Sequence, residues 1–289
     1  MYIKKTNWYI RFIREVNSLK IAATSDNHFD VNKIDENQMA QKQAEYLLKQ
    51  HVGVYLIAGD LFNKFNRSMQ YVEKLQELVG EHTKVFFIAG NHDMLNDIDY
   101  NQLESNLSPL YLHNQFYDVP GTKWRIIGNN GWYDYTFADN VDKTTEQFWR
   151  WKKSFWIDTG IEQPMSDIER MNIVLKQTEQ QMQQASRRKV LFMTHFAVRH
   201  EYIHYSEDAR FWNMINGMAG SRRMEKLLET YQPELVISGH LHHYFKPLAK
   251  SNGIYYNSSV GYHNNRINEW NSDDFFTEWT QRLLITDLK

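Results

Sequence analysis

The sequence predicts an α/β fold built on a largely parallel, helix-covered sheet, and three observations carry that expectation. Short apolar runs rich in β-branched and aromatic residues recur along the chain. Segments of helical periodicity separate them, giving the strand–helix–strand rhythm of parallel sheets. Each of the five strongest runs is followed within two residues by Asp, Asn or His, the residue types that gather outside the carboxyl ends of such strands. The runs are Lys20–Thr24, Val54–Ala58, Val85–Ala89, Val190–Thr194 and Leu235–Ser238.

Between the first three runs the spacing predicts helices over Glu36–Gln50 and Ser68–Gly80, with Gly80 as the C-cap. Asp167–Arg187 reads as a long amphipathic helix before the fourth strand, and Gly220–Tyr231 as another before the fifth. Beyond Leu241, Tyr244–Leu248, Ile254–Asn257 and Arg282–Asp287 read as short strands suited to antiparallel pairing. Residues 1–19 carry Trp8, Phe12 and Val16 at helical spacing, which predicts an amphipathic N-terminal packing helix. Two stretches break the rhythm. The aromatic-rich segment 130–165 and Asn268–Trp279 read as insertions over one end of the sheet. In the first, Phe148, Trp151 and Phe155 form a helical face suited to packing, or to a cap that grips an apolar leaving group. Residues 1–289 are expected to form one domain.

Composition narrows the chemistry. Of 289 residues, 42% are hydrophobic and 24% charged, the balance of a globular protein. A net charge of -2 gives no global electrostatic footprint for nucleic acid. Cysteine is absent, so thiolate zinc sites and iron–sulfur clusters are excluded and any metal takes nitrogen and oxygen ligands. No apolar run approaches the roughly 20 residues of a membrane span, and the basic, aromatic N-terminus lacks the pattern of a signal peptide, so a cytoplasmic location is expected.

The strand ends read Asp26-Asn27-His28, Gly59-Asp60, Gly90-Asn91-His92-Asp93, His195 and Gly239-His240-Leu241-His242. The glycines let the backbone turn sharply and approach an ion. On an extended segment His240 and His242 would project to one side. An isolated Gly-Asp or a lone histidine is most often structural; five strand-terminal ligand types in one chain point to a metal site.

This series, Asp-x-His, Gly-Asp, Gly-Asn-His-Asp, His and Gly-His-x-His, resembles the calcineurin-like metallophosphoesterase superfamily from about Lys20 to about Asn257. The resemblance implies a four-layer α/β/β/α sandwich of two mixed sheets flanked by helices, with a dinuclear metal site at the strand carboxyl ends. It also implies that Asp26, His28, Asp60 and His242 hold one divalent cation. Asp60, Asn91, His195 and His240 would hold the other, with Asp60 as bridge. Two cations held this close need a shared anion, and a carboxylate with two oxygens can supply it. A metal-bridging hydroxide would then attack the phosphorus. By the same resemblance His92 protonates the leaving group, and Asp93 orients its imidazole. Mixed imidazole and oxygen donors favour manganese or iron, and also suit zinc, cobalt or nickel.

The substrate class is less specific. Phosphoprotein phosphatases of the superfamily carry Asp-Arg-Gly after Gly-Asp, whereas Gly59-Asp60-Leu61-Phe62-Asn63-Lys64 stands here. A small phosphorylated molecule or nucleotide is therefore expected, cleaved as a diester or monoester. The Gly59–Phe62 run keeps a DNA or RNA nuclease as the alternative, although no basic stripe with interleaved aromatics accompanies it. Asn257-Ser258-Ser259 resembles a turn common near the end of these domains. Arg199, His200 and Arg266 are candidate substrate contacts. His200-Glu201-Tyr202-Ile203-His204 also matches the H-E-x-x-H pattern of zinc peptidases, a remote reading that leaves every strand-end motif unexplained.

Overall fold

The computed structural model describes residues 19–207 and 210–289. The N-terminal helix expected over residues 1–19 lies outside them, apart from Leu19, which opens the first strand. The strands are β1 (Leu19–Thr24), β2 (Val54–Ile57), β3 (Lys84–Phe87), β4 (Gln115–Asp118), β5 (Trp124–Gly128), β6 (Lys189–Met193), β7 (Leu235–Ser238), β8 (Leu248–Lys250), β9 (Gly253–Asn257) and β10 (Leu284–Leu288). They form two mixed sheets, ordered β10-β1-β2-β3 and β4-β5-β6-β7-β9-β8. In each, a parallel centre carries antiparallel edges: β10 on β1 in the first, and β4 on β5 and β8 on β9 in the second.

Alternation along the strands explains how two such sheets share one chain. Ile21 and Ala23, Val54 and Leu56, Ile126, Leu191 and Met193, and Leu235 and Ile237 form one apolar layer between the sheets. Their neighbours, among them Ala22, Tyr55, Ile57, Phe192 and Val236, face outward into a second set of contacts with the helices. Strands buried on both faces read as continuous apolar runs, which is why β1, β2, β3, β6 and β7 were visible in the sequence.

The helices are α1 (Glu36–Lys49), α2 (Phe65–Val79), α3 (Tyr100–Leu103), α4 (Thr145–Phe155), α5 (Asp167–Ala185), α6 (Arg210–Ile215), α7 (Arg222–Tyr231) and α8 (Phe275–Arg282). Asp35 caps α1 through the amides of Asn37 and Gln38, and Ser166 with Glu169 forms a capping box on α5. Gly80, at φ 58°, ends α2 as expected. Helices α1, α2 and α8 pack together over the first sheet, and α5 packs on α7 and β6 over the second. None of the helices of the described residues is long and apolar enough to cross a membrane.

Several elements differ from expectation. Tyr244–Leu248 is not a strand; Tyr244 is exposed, Pro247 has no N–H to donate, and pairing begins only at Leu248. Strands β4 and β5 were not anticipated: β4 is an edge strand without an apolar run, and Arg125, which pairs with Asp118, interrupts the apolar pattern of the buried β5. Asn268–Trp279 divides in two: its first half reaches the strand ends, where Glu269 accepts from His242 Nδ1. Its second half opens α8, whose fully buried Trp279 packs edge-on against Tyr46 and donates its indole N–H to Tyr55 Oη at 3.2 Å. In segment 130–165, Trp132, Tyr133, Tyr135 and Phe137 are buried; on the helical face itself Phe148 is buried, Trp151 half-buried and Phe155 exposed, so only one end of that face packs. Phe155 at the end of α4 is exposed and meets Phe211, also exposed, on α6.

Candidate metal centre

All five motif loops leave parallel strands at their carboxyl ends, three from the first sheet and two from the second. Backbone bonds lace neighbouring loops together within each sheet, and Val260 N–H to Ser25 O and Gly261 N–H to Asp26 O join the two sheets. Asp26 N–H donates to Gly59 O, His28 N–H to Asp60 O and Gly239 N–H to His195 O. Asn257, the last residue of β9, donates its side-chain amide to Gly239 O at 2.7 Å and so ties down the histidine loop. Gly90 lies so close to Asp60 that a Cβ there would stand 2.1 Å from Asp60 Oδ1. Asp26, His28, Asp60, His240 and His242 all have positive φ, between 43° and 71°. Non-glycine residues in that region cost on the order of 1 kcal/mol or more each and persist where function holds them. His240 and His242 thus converge through two left-handed turns, not along the extended segment expected from their spacing.

The side chains form two groups that share one residue. In the first, His242 Nε2 is 3.1 Å from Asp26 Oδ1 and 3.0 Å from His28 Nε2, which is 3.7 Å from Asp60 Oδ2. In the second, His195 Nε2 is 3.4 Å from Asp60 Oδ2, 3.1 Å from Asn91 Oδ1 and 3.2 Å from His240 Nδ1. Asp60 Oδ2 alone is common to both. Its Oδ1 accepts the His92 N–H at 2.8 Å, so one carboxylate oxygen, not two, faces the groups.

The donor set fits divalent cations. Imidazole nitrogens point at one another, and carboxylate and amide oxygens converge between them with almost no exposure to solvent. The electrostatics agree. Burial alone would raise the carboxyls of Asp26 and Asp60, yet His242 and His195 hold both well below the ordinary carboxylate range. Against burial, Asp60 lifts His195 to about 9, and Asp26 with Glu269 lifts His242 to about 10. Burial and neighbouring imidazoles push His28 and His240 down, the latter to about 3.

His92 lies beside the first group, its ring 4.6 Å from that of His28. Its expected partner is corrected by the structure. Asp93 turns away and accepts the backbone N–H groups of Asp60, Leu61, Phe62 and Gly90 and the hydroxyl of Ser68, clamping the loops after β2 and β3. The imidazole Nδ1 meets Asn63 Oδ1 at 2.6 Å instead. On its other side, His92 Nε2 is 3.0 Å from the hydroxyl of Tyr262, whose ring covers His28 and His242 at 4.4 and 4.5 Å.

The remaining candidates separate. Arg199 is 2% exposed and its guanidinium is occupied by Glu201, Glu225 and Glu229, which leaves it unsuited to gripping a phosphate. His200 pairs with Glu225 at 2.5 Å. His200, Glu201 and Glu225 can also be drawn as a ligand cluster, but Arg199 already fills it with positive charge. His204 is exposed outside that cluster, and His200–Tyr202 is a single 3-10 turn, so the helical face that an H-E-x-x-H zinc site requires is missing. Arg266 is exposed, four residues beyond Tyr262.

Asn63, Asp158, Tyr262 and Glu269 belong to the site and were not singled out from the sequence. Asn63 had a signal, its place three residues after Asp60. Tyr262 follows the Asn257–Ser259 turn closely. Asp158 and Glu269 had none beyond their segments breaking the strand–helix rhythm.

A model of the calcineurin-like phosphoesterase family matches residues 19–244. Among solved structures, phosphopantetheinyl hydrolase from Mycobacterium tuberculosis is similar with a TM-score of 0.66 and 14% identity, covering 93% of this chain and 96% of that one. A protein from Thermus thermophilus has a TM-score of 0.49 and 14% identity, covering 82% of this chain and 87% of that one. A dimetal phosphatase from Danio rerio has a TM-score of 0.44 and 13% identity, covering 82% and 86%. At these identities the likeness is one of fold. No curated protein sequence matches the chain.

Proposed function

Because the chain belongs to the calcineurin-like phosphoesterase family, we propose that its dinuclear centre hydrolyses a small phosphodiester or phosphomonoester, including nucleotides. The observation that carries this reading is the sharing of Asp60 Oδ2 by two ligand groups drawn from both sheets. When bound, two divalent cations acidify a water for attack and neutralise the phosphoryl oxygens as charge builds. Asp26, His28, Asp60 and His242 would hold one cation, and Asp60, Asn91, His195 and His240 the other. Manganese or iron suits these donors best.

The chain's own residues supply the rest. His92 is the group placed to protonate the departing oxygen, from Nε2. An amide oxygen only accepts, so Asn63 Oδ1 keeps a proton on Nδ1 and leaves Nε2 directed at the reaction. The Tyr262 hydroxyl marks where a leaving-group oxygen would stand. A small substrate is supported by the absence of a basic balance in the chain and by Asn63-Lys64 in place of the phosphatase Asp-Arg pair.

A panel of bis-p-nitrophenyl phosphate, p-nitrophenyl phosphate, cyclic nucleotides and single-stranded DNA, assayed with manganese, tests the proposal. Turnover of small esters with little DNA cleavage is expected. DNA cleavage faster than any small ester would replace the reading with a nuclease.

A further inference from the structure

The two stretches that break the strand–helix rhythm each send one carboxylate to the metal centre, and the two reach different cation groups. Asp158, in the 3-10 turn Ile157–Gly160 that follows α4, accepts from Asn91 Nδ2 through Oδ1 at 2.7 Å. Its Oδ2 accepts the Trp156 indole N–H at 3.0 Å. Glu269, between β9 and α8, accepts from His242 Nδ1 at 2.9 Å and from the Tyr262 backbone N–H at 2.7 Å, both at Oε2. Neither carboxylate belongs to a cation cluster itself.

We propose that Asp158 and Glu269 are positioning residues, one for each cation, so that the two metal affinities are set separately by two segments outside the strand–helix core. The inference rests on the dinuclear reading above. Burial raises the Asp158 carboxyl above its ordinary value, but both of its oxygens are engaged as acceptors, Oδ2 by the Trp156 N–H and Oδ1 by the amino end of Asn91. The amide oxygen must then point the other way, where it lies 3.1 Å from His195 Nε2 and 3.0 Å from His240 Nδ1. A neutral amide at position 158 can pair with either end of Asn91 and removes that constraint. Glu269 acts on a tautomer. By accepting from Nδ1–H it leaves the lone pair of His242 on Nε2, which faces Asp26 Oδ1 and His28 Nε2. A glutamine there could donate to Nδ1 and shift the proton to Nε2, where it blocks coordination. Asn91 belongs to one cation group and His242 to the other.

Calorimetric titration of the metal-free protein with manganese, paired with electron paramagnetic resonance of the coupled ion pair, tests this. Wild type is expected to take up two ions. Asp158→Asn should weaken one binding phase roughly 10–100-fold and leave the other at its wild-type affinity. Glu269→Gln should weaken the second phase by a similar factor and spare the first. The double variant should then have no wild-type-like phase, and its coupled-pair signal should be lost at two equivalents of metal. Trp156→Phe, which frees one oxygen of Asp158, should weaken the Asp158 phase by a few fold. It stands in if Asp158→Asn fails to fold, as melting of the metal-free proteins would reveal. A wild-type-like phase surviving in the double variant would mean that both residues act on one site and would overturn the inference. So would equal weakening of both phases by either single variant, or no weakening at all. A wild type that takes up fewer than two ions would instead overturn the dinuclear reading beneath it.

Discussion

His92 Nδ1 meets Asn63 Oδ1 at 2.6 Å, and this bond aims the opposite nitrogen, Nε2, toward the Tyr262 hydroxyl beside the metal cluster. The contact sets His92, the proposed proton donor, apart from the residues proposed to hold metal. His92→Ala should keep two bound ions and lose roughly 10²–10⁴ in turnover. The loss should be greatest for alkyl esters, which leave as basic alkoxides, and least for p-nitrophenyl esters. A plot of log rate against leaving-group pKa should be steeper for the variant than for wild type; equal slopes would remove His92 from the proton-donor role. Asn63→Ala should follow the same trend more mildly, because the imidazole stays but is no longer held in one tautomer.

Asp93 should behave differently. Its two oxygens gather four backbone N–H groups and the Ser68 hydroxyl in a fully buried position. Asp93→Asn places an amino group against donors and leaves some of them unpaired, at about 1–3 kcal/mol for each. Urea unfolding should show this as a lower midpoint, with metal uptake weakened because Asp60 and Asn91 ride on the clamped loops. An unchanged midpoint with a leaving-group-dependent rate loss would return Asp93 to the role of orienting His92.

Metal binding should release protons. His195, at about 9, and His242, at about 10, carry protons at neutral pH when the site holds no cation, and coordination removes those on the metal-facing nitrogens. Because both values lie above 7, metal affinity should rise as pH increases from 6 to 9. About two protons, one from each histidine, should be released at pH 7 when both cations have bound. Calorimetry in buffers of different ionisation enthalpy counts them, and a pH-independent affinity over this range would contradict the assignment.

His200→Ala with His204→Ala should retain both ions and most phosphoesterase turnover. His200 is engaged by Glu225, and His204 lies outside every ligand cluster of the described residues. Loss of bound metal in that variant would move the site to this segment.

What the sequence made legible follows from how strands advertise themselves. Strands β1, β2, β3, β6 and β7 are buried on both faces, so their ends are sharp, and the ligand residues follow within four positions of each. Their gathering needs only a parallel sheet, so the convergence of these seven side chains was foreseeable. Partnership between side chains was less visible. Whether His92 meets Asp93 or Asn63 depends on the course of a turn, and spacing along the chain favours the nearer residue. Arg199 is close to His195 in sequence, but three glutamates around it outcompete a distant phosphate. Asp158 and Glu269 reach the site across 67 and 27 positions respectively, and no local pattern encodes contacts of that length.

The most direct test of the central claim is hydrolysis of bis-p-nitrophenyl phosphate by metal-free protein reconstituted with stepwise equivalents of manganese, run beside Asp60→Asn. Asp60 Oδ2 is the one atom shared by both ligand groups, so the account predicts no turnover without metal and full turnover near two equivalents. The variant should hold fewer than two ions and turn over at least about 10²-fold more slowly. Full activity of the metal-free protein, or two tightly bound ions in Asp60→Asn, would contradict it.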